Sequence, residues 1–371
     1  MVSTQYMGVL TRKVYSMGFE LDNRKKRILQ AVIKDYISTA EPVGSRTIAR
    51  KYGLGVSPAT IRNEMADLEE MGFLEQPHTS AGRIPSEQGY RYYVDCLMQK
   101  EELSFDEEDL IQREYRSKID DVGQVIHVTG HLLSQLTSYT AVVQKPKIGF
   151  SSFKNIQLLG MDKERAMLVA VMDNGIVQHR MIEVPGSITG NDLAAISAVL
   201  NAKLSGFTME SIKNTLVKEI YIELARYRRT LDLVLDVLRY SLTSDNEDKV
   251  YFGGLFNILN QPEFQNVEKL KTLLGLLEQE DMLSNLMTAD LSNSGVTVRI
   301  GGEISYQGMQ DCSMVMAIYG VKGQPIGSLG VLGPTRMDYS KVISVVEYMT
   351  RKLSFALENL FNGLVDKEVK F

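Results

Sequence analysis

The sequence predicts an α+β protein with a small helical head, then a strand-rich block that is interrupted by a mainly helical block and resumed near the C-terminus. Two observations carry this. Ser57 to Gly72, SPATIRNEMADLEEMG, is a sharply punctuated helix inside a run of short helices. Residues 156–184 and 295–334 switch to strand-like runs, IQLLGM, AMLVAVM and IVQHRMIEV in the first, VTVRIGG, CSMVMAIY and IGSLGVLG in the second, while the stretch between them keeps a helical period. The 371 residues suffice for two or three domains, and 44% hydrophobic with 23% charged content fits a globular protein with substantial cores.

The head builds element by element. Asp22 or Asn23 caps a helix over residues 24–40, RKKRILQAVIKDYISTA, with Ile28, Val32, Ile33, Tyr36 and Ile37 on one face. Glu41-Pro42-Val43-Gly44 breaks it. Ser45 is expected to cap a short helix, RTIARKY, closed by Gly53. Ser57 then caps the third helix, with Pro58 at the first helical position, where its missing N–H is harmless, and Gly72 as the stop. Ile61, Met65 and Leu68 turn one face to a core. The opposite face carries Ala59, Arg62 and Asn63, with Ser57 and Thr60 where the helix begins: short side chains that permit close approach, beside groups that can bond base edges. Phe73-Leu74-Glu75, the polar loop QPHTSAGR and Ile84-Pro85 form a strand, an excursion and a return. Together these make a winged helix-turn-helix over residues 20–100. Ser86 caps a last helix, SEQGYRYYVDCLMQ, whose Tyr90, Tyr93, Val94 and Leu97 share a face at helical spacing and therefore pack on the head.

Charge supports nucleic-acid contact. Between Arg24 and Arg62 there are nine basic and two acidic residues, a local +7, in a chain whose formal net charge is −5. A basic cluster on a helix-turn-helix within an acidic protein is the footprint of phosphate binding. Lys25, Arg27, Arg46 and Lys51 are expected on phosphates, with Ser45 at the start of the second helix. Ser57, Ala59, Thr60, Arg62 and Asn63 are expected in the groove, and Arg83 at the wing tip. Four basic residues in a row, Arg24 to Arg27, sit badly beside the positive end of a helix, so an external anion is the better reason for them.

The rest of the chain divides into residues 104–190, 191–294 and 295–371, the middle portion inserted into a domain formed by its neighbours. Ser104 to Glu107 is a capping box opening a helix whose Tyr115, Ile119, Val122, Ile126, Thr129, Leu133 and Leu136 make a seam of about three heptads. Gly123 and Gly130 in that seam suit a close intramolecular contact. Asn174-Gly175 marks a hairpin. Residues 209–242 read as one long helix, and 339–360 as the closing helix.

Catalytic and metal chemistry find no support. VKGQPIGSLGVLGP lacks the Gly-Lys-Ser/Thr of a phosphate loop and alternates like a hairpin; Gly253-Gly254 lacks its strand-to-helix context. His127 and His131 stand four apart with no third ligand nearby. Cys96 and Cys312 are far apart, as in a reducing compartment, and no apolar run approaches a membrane span. No cofactor or metal is expected, the protein reads as cytoplasmic, and residues 1–19 read as a disordered extension without the pattern of a signal peptide.

Three stretches carry a resemblance: LDNRKKRILQAVIKDYI, then EPVGSRTIARKYGLGVSPATIRNEMADLEEMGFLEQPHTSAGRIPSEQGYRYYVD, and later GPTRMDYSKVISVVEYM. They resemble the heat-inducible transcription repressor family, HrcA, from about Leu21 to the C-terminal helix. The resemblance implies a winged helix followed by a GAF-like domain, with the insertion serving to dimerise. It implies repression of chaperone operons through the CIRCE inverted repeat upstream of groE and dnaK, with the GroE chaperonin keeping the repressor active. The alternative is a winged-helix repressor whose GAF-like domain senses a small molecule. An enzyme with a DNA-binding head lacks any catalytic constellation.

Overall fold

The computed structural model describes residues 21–79, 81–116, 121–146, 152–173, 177–208, 211–212, 214–243, 250–288 and 295–368. The expected extension at 1–19 and the Asn174-Gly175 turn lie outside them.

The head holds α1 (Asn23–Thr39), α2 (Ser45–Tyr52) and α3 (Pro58–Glu70), a two-stranded wing of β1 (Leu74–Glu75) and β2 (Ile84–Pro85), and α4 (Glu87–Tyr92), which passes into a π-helical turn at Tyr93–Leu97. Asp22 is the cap of α1, its carboxylate accepting from Lys25 N at 2.8 Å. Ser57 caps α3, accepting from Thr60 N at 3.1 Å. Ser45 is not a cap: the helix starts one residue earlier than expected, Gly44 holds the capping position, and Ser45 is the first helical residue. An antiparallel bridge between Val43 and Arg83 keeps the preceding backbone extended up to that point. Ile61, Met65 and Leu68 are buried as the periodicity required, and Tyr90, Tyr92, Tyr93 and Val94 close the bottom of the core.

Helices α5 (Phe105–Arg116) and α6 (Val122–Thr137) follow. The Ser104 capping box forms, with Ser104 N donating to Glu107 at 2.9 Å and Glu107 N to Ser104 at 3.3 Å. The expected continuous seam does not. Tyr115 Oη lies 2.6 Å from Thr129 Oγ1. Fourteen residues along one straight helix would separate them by roughly 21 Å, so the two helices fold back on each other. Asp121 caps the second, accepting from Gln124 N at 2.8 Å. Ile119 lies outside the described residues.

The main domain is a five-stranded antiparallel sheet in the order β7-β3-β10-β9-β8, from β3 (Thr140–Gln144), β7 (Val250–Gly253), β8 (Val296–Ile300), β9 (Cys312–Val321) and β10 (Gln324–Pro334). The glycine-rich run near 330 is indeed a hairpin: Val321 pairs with Gln324 around Lys322-Gly323, both at positive φ, as a tight two-residue turn requires. One face of the sheet packs on α6 and α12 (Tyr339–Glu368), and this core runs unbroken into the head. The other face meets α10 (Val267–Leu277) and α11 (Glu280–Thr288) through a methionine-rich layer that includes Met282, Met287, Met309, Met314 and Met316. Gly130 of α6 is where the close contact falls: a Cβ there would stand 2.4 Å from Cε1 of Tyr251 on β7.

The insertion has other limits than the sequence suggested. Between β3 and β7 the chain builds a separate antiparallel sheet, β4 (Phe153–Gly160), β5 (Arg165–Met172) and β6 (Val177–Glu183), backed by α7 (Gly190–Leu204), α8 (Asn214–Glu223) and α9 (Arg228–Thr243) around its own core. The strands at 156–184, assigned from the sequence to the main domain, thus belong to the insertion, and residues 250–288, assigned to the insertion, belong to the main domain. The reason is pairing: β7 lies along β3 from Ala141↔Gly253 to Gln144↔Val250, closing a boundary that hydropathy alone does not mark. The long helix at 209–242 is likewise two helices, broken by a 3-10 turn at Ala225–Tyr227.

Candidate nucleic-acid interface

Helix α3 stands with its core face buried and Ser57, Ala59, Arg62 and Asn63 exposed; Thr60 is half-buried, its hydroxyl 2.9 Å from that of Ser57. The side of α3 facing α1 is held by a clamp. Lys25 Nζ lies 2.7 Å from Glu64 Oε2 and 2.9 Å from Asp67 Oδ2, and Arg24 reaches Glu64 at 3.3 Å. Hydrogen bonds to Glu64 and then Asp67 hold the Lys25 ammonium charged well above the ordinary lysine range. Lys25 is therefore committed inside the head. The four basic residues at the start of α1 answer in part to Glu64 and Asp67, which lie just past the charge window ending at Arg62.

Lys51 is similarly engaged, 2.6 Å from the buried carboxylate of Asp35 on α1, although its side chain stays half exposed. Arg83 is not at the wing tip. The loop turns at His78–Ala81, where Ala81 N donates to His78 O, and Arg83 is back at the base, where its backbone exchanges two hydrogen bonds with Val43 and its Nε lies 2.7 Å from Glu69 Oε2 of α3. Gly82 permits this approach, since a Cβ there would stand 2.4 Å from Val43 O. Exposed Pro77, His78 and Thr79 form the described part of the tip.

What remains for an outside anion is Arg27, Arg46, Arg50 and Arg62, with Lys34 further along α1, all exposed and without an ion pair to a described residue. Arg24 and Arg27 line a half-open groove of about 290 Å³ with Asn23, Ile28, Leu54 and Val56. The start of α1 thus borders the turn that leads directly into Ser57 and α3. Arg24 and Arg50 are exposed where Lys25 is not, a distinction that residue type does not make.

No cluster of His, Cys, Asp and Glu suited to a metal ion occurs among the described residues, and the His127 ring packs at a tilt against that of Tyr251, 5.1 Å between centroids. No helix among them is long and apolar enough to cross a membrane.

Residues 20–95 match the winged helix-turn-helix transcription repressor, HrcA DNA-binding family, and residues 123–343 match the HrcA protein C terminal domain. The heat-inducible transcription repressor HrcA of Pelotomaculum thermopropionicum is 65% identical over 93% of this chain and 99% of its own. That of Desulforamulus reducens is 57% identical over 93% and 100%, and that of Bacillus pumilus 40% over 92% and 99%. A crystal structure described only as a hypothetical protein shares the fold, with a TM-score of 0.59 at 24% identity, over 92% of this chain and 98% of that one.

Proposed function

The chain belongs to the HrcA family of heat-inducible transcription repressors, a non-enzymatic class with a winged-helix DNA-binding head, and from that premise we propose that it silences chaperone operons of the groE and dnaK class by binding the CIRCE inverted repeat as a homodimer. The observation that supports DNA reading most directly is the split of α3 into a clamped side and an open side. Glu64 and Asp67 are held by Lys25, while Ser57, Ala59, Arg62 and Asn63 are presented outward. A helix fixed in this way can enter a major groove without losing its own packing. In this reading Arg27, Arg46 and Arg50 bind phosphates, Ser45 and Thr60 support the backbone approach, and Lys51 contributes charge from its exposed portion.

A single winged helix reads few base pairs, so an inverted repeat calls for two. The outer face of β4-β5-β6 supports that pairing. Leu159, Met167 and Met181 form one rung across the three strands, and Met161 and Val177 add to the exposed apolar surface. Patches of this kind mark protein contacts. Met181→Asp in the full chain is expected to shift the protein from dimer to monomer in sedimentation.

The GroE chaperonin is the proposed modulator. Its role rests on family membership. A repressor of chromosomal operons acts in the cytoplasm. Fluorescence anisotropy with labelled CIRCE against a scrambled duplex, at two salt concentrations, tests the central reading: selective binding with a steep salt slope is expected. Equal weak binding to both duplexes, unchanged by chaperonin and ATP, would overturn it. Protein that regains full operator binding after heating with no gain from chaperonin would sink the proposed modulation.

A further inference from the structure

We propose that Arg336 and Arg91 are positioning residues: they pin the winged-helix head to the GAF-like domain in one orientation and so set the half-site separation that the dimer can read. This rests on the inverted-repeat reading above.

The two arginines join the head to the domain through different elements, Arg336 at the end of α1 and Arg91 from α4. Arg336, between β10 and α12, donates through Nη1 to Ile37 O at 2.8 Å, one of the carbonyls left open where α1 ends. Its guanidinium is itself fixed by Glu263 Oε1 at 2.7 Å and Gln261 Oε1 at 3.2 Å, and only 11% of the side chain is exposed. Arg91, on α4, makes a two-pronged pair with Glu303 and donates to Val298 O at 2.7 Å. At the same junction the Tyr90 and Tyr339 rings pack at 5.9 Å, and Glu87 accepts from Gly302 N at 3.0 Å. Two polar anchors on separate elements, together with a packed aromatic contact, oppose rotation as well as separation.

The covalent connection does not do this alone. Residues 98–104, between the π-helical turn and α5, could extend over roughly 24 Å, a large part of the ~34 Å helical turn that separates half-sites. A head released from the junction could reach several spacings. A docked head reaches one, and avidity is lost where both heads cannot engage together.

The test uses the full chain and CIRCE duplexes whose spacer is changed stepwise through half a helical turn, together with a duplex carrying one half-site. Wild type is expected to lose at least about 10²-fold in affinity away from the native spacing. Arg336→Gln and, at the other anchor, Glu303→Gln are expected to lose less than about tenfold across the same series, with affinity for the single half-site unchanged. Thermal melting checks that each variant is folded, and the two anchors test the inference independently. Folded variants that keep the wild-type spacing profile would overturn it. So would a wild type that prefers CIRCE to scrambled DNA but is indifferent to spacing. Failure of wild type to distinguish CIRCE from scrambled DNA at any spacing would instead bring down the repressor reading first.

Discussion

Lys25 on α1 and Glu64 on α3 face each other at 2.7 Å, with 14% and 13% of their side chains exposed. Removing the lysine leaves a mostly buried carboxylate with Arg24 as a more distant and better solvated partner. Lys25→Ala is expected to lower stability by about 1–2 kcal/mol, less than for a fully buried pair. Urea unfolding measures this, and the salt slope of operator binding should not change. A slope reduced by about 1 at unchanged stability would put Lys25 on a phosphate instead.

Arg62 is the exposed cation in the middle of the open side of α3. Arg62→Ala is expected to cost roughly 1–3 kcal/mol on the operator and to relax specificity, with a much smaller loss on scrambled DNA. Equal losses on both duplexes would remove Arg62 from base reading.

Gly130 lies under the Tyr251 ring. Alanine gains about 1 kcal/mol of helix propensity over glycine, but overpacking against an aromatic ring costs about 1–3 kcal/mol. Gly130→Ala should therefore be neutral to destabilising in chemical denaturation. Clear stabilisation would mean that α6 and β7 do not press together as closely as described.

Tyr90 Oη is buried and has no hydrogen-bond partner among the described residues. An unsatisfied buried hydroxyl carries a desolvation penalty that phenylalanine lacks. Tyr90→Phe is expected to leave stability unchanged or raise it by up to about 1 kcal/mol. A loss of more than that would reveal a partner for the hydroxyl.

Thr189 caps α7 and Asp192 closes the capping box, accepting from Thr189 N at 2.8 Å and Thr189 Oγ1 at 2.6 Å, and from Tyr227 Oη at 2.7 Å. The bonds from Thr189 and then Tyr227 lower its pKa from 3.8 to about 2. A carboxylate depressed in the fold contributes stability above its unfolded value and loses it as pH falls through the folded one. The capping contribution should thus persist above pH 3.8 and fade towards pH 2. Wild type and Asp192→Asn should differ in melting temperature at neutral pH and converge near pH 2. A difference that stays constant over this range would exclude the carboxylate as its source.

The head was legible in the sequence because its determinants are local. Ser57 and Pro58 start α3, Gly53 and Gly72 end α2 and α3, and the period of Ile61, Met65 and Leu68 chooses the buried face. No distant residue is needed to read any of these. The basic character of the head, and the open face of Ala59, Arg62 and Asn63, were legible for the same reason. Tertiary structure decided which cations are available. Lys25, Lys51 and Arg83 match Arg27 and Arg46 in charge, and only the placement of Glu64, Asp67, Asp35 and Glu69 opposite them engages the first three in ion pairs within the head. Tertiary structure also decided which sheet each strand joins. The runs at 156–184 and 250–253 are both strand-like, yet Val250 to Gly253 pairs with β3 more than a hundred residues earlier, while the former pair among themselves. Alternating hydropathy specifies that a strand has a face to bury. The partner is selected by backbone pairing and side-chain packing across the whole chain, which are non-local properties.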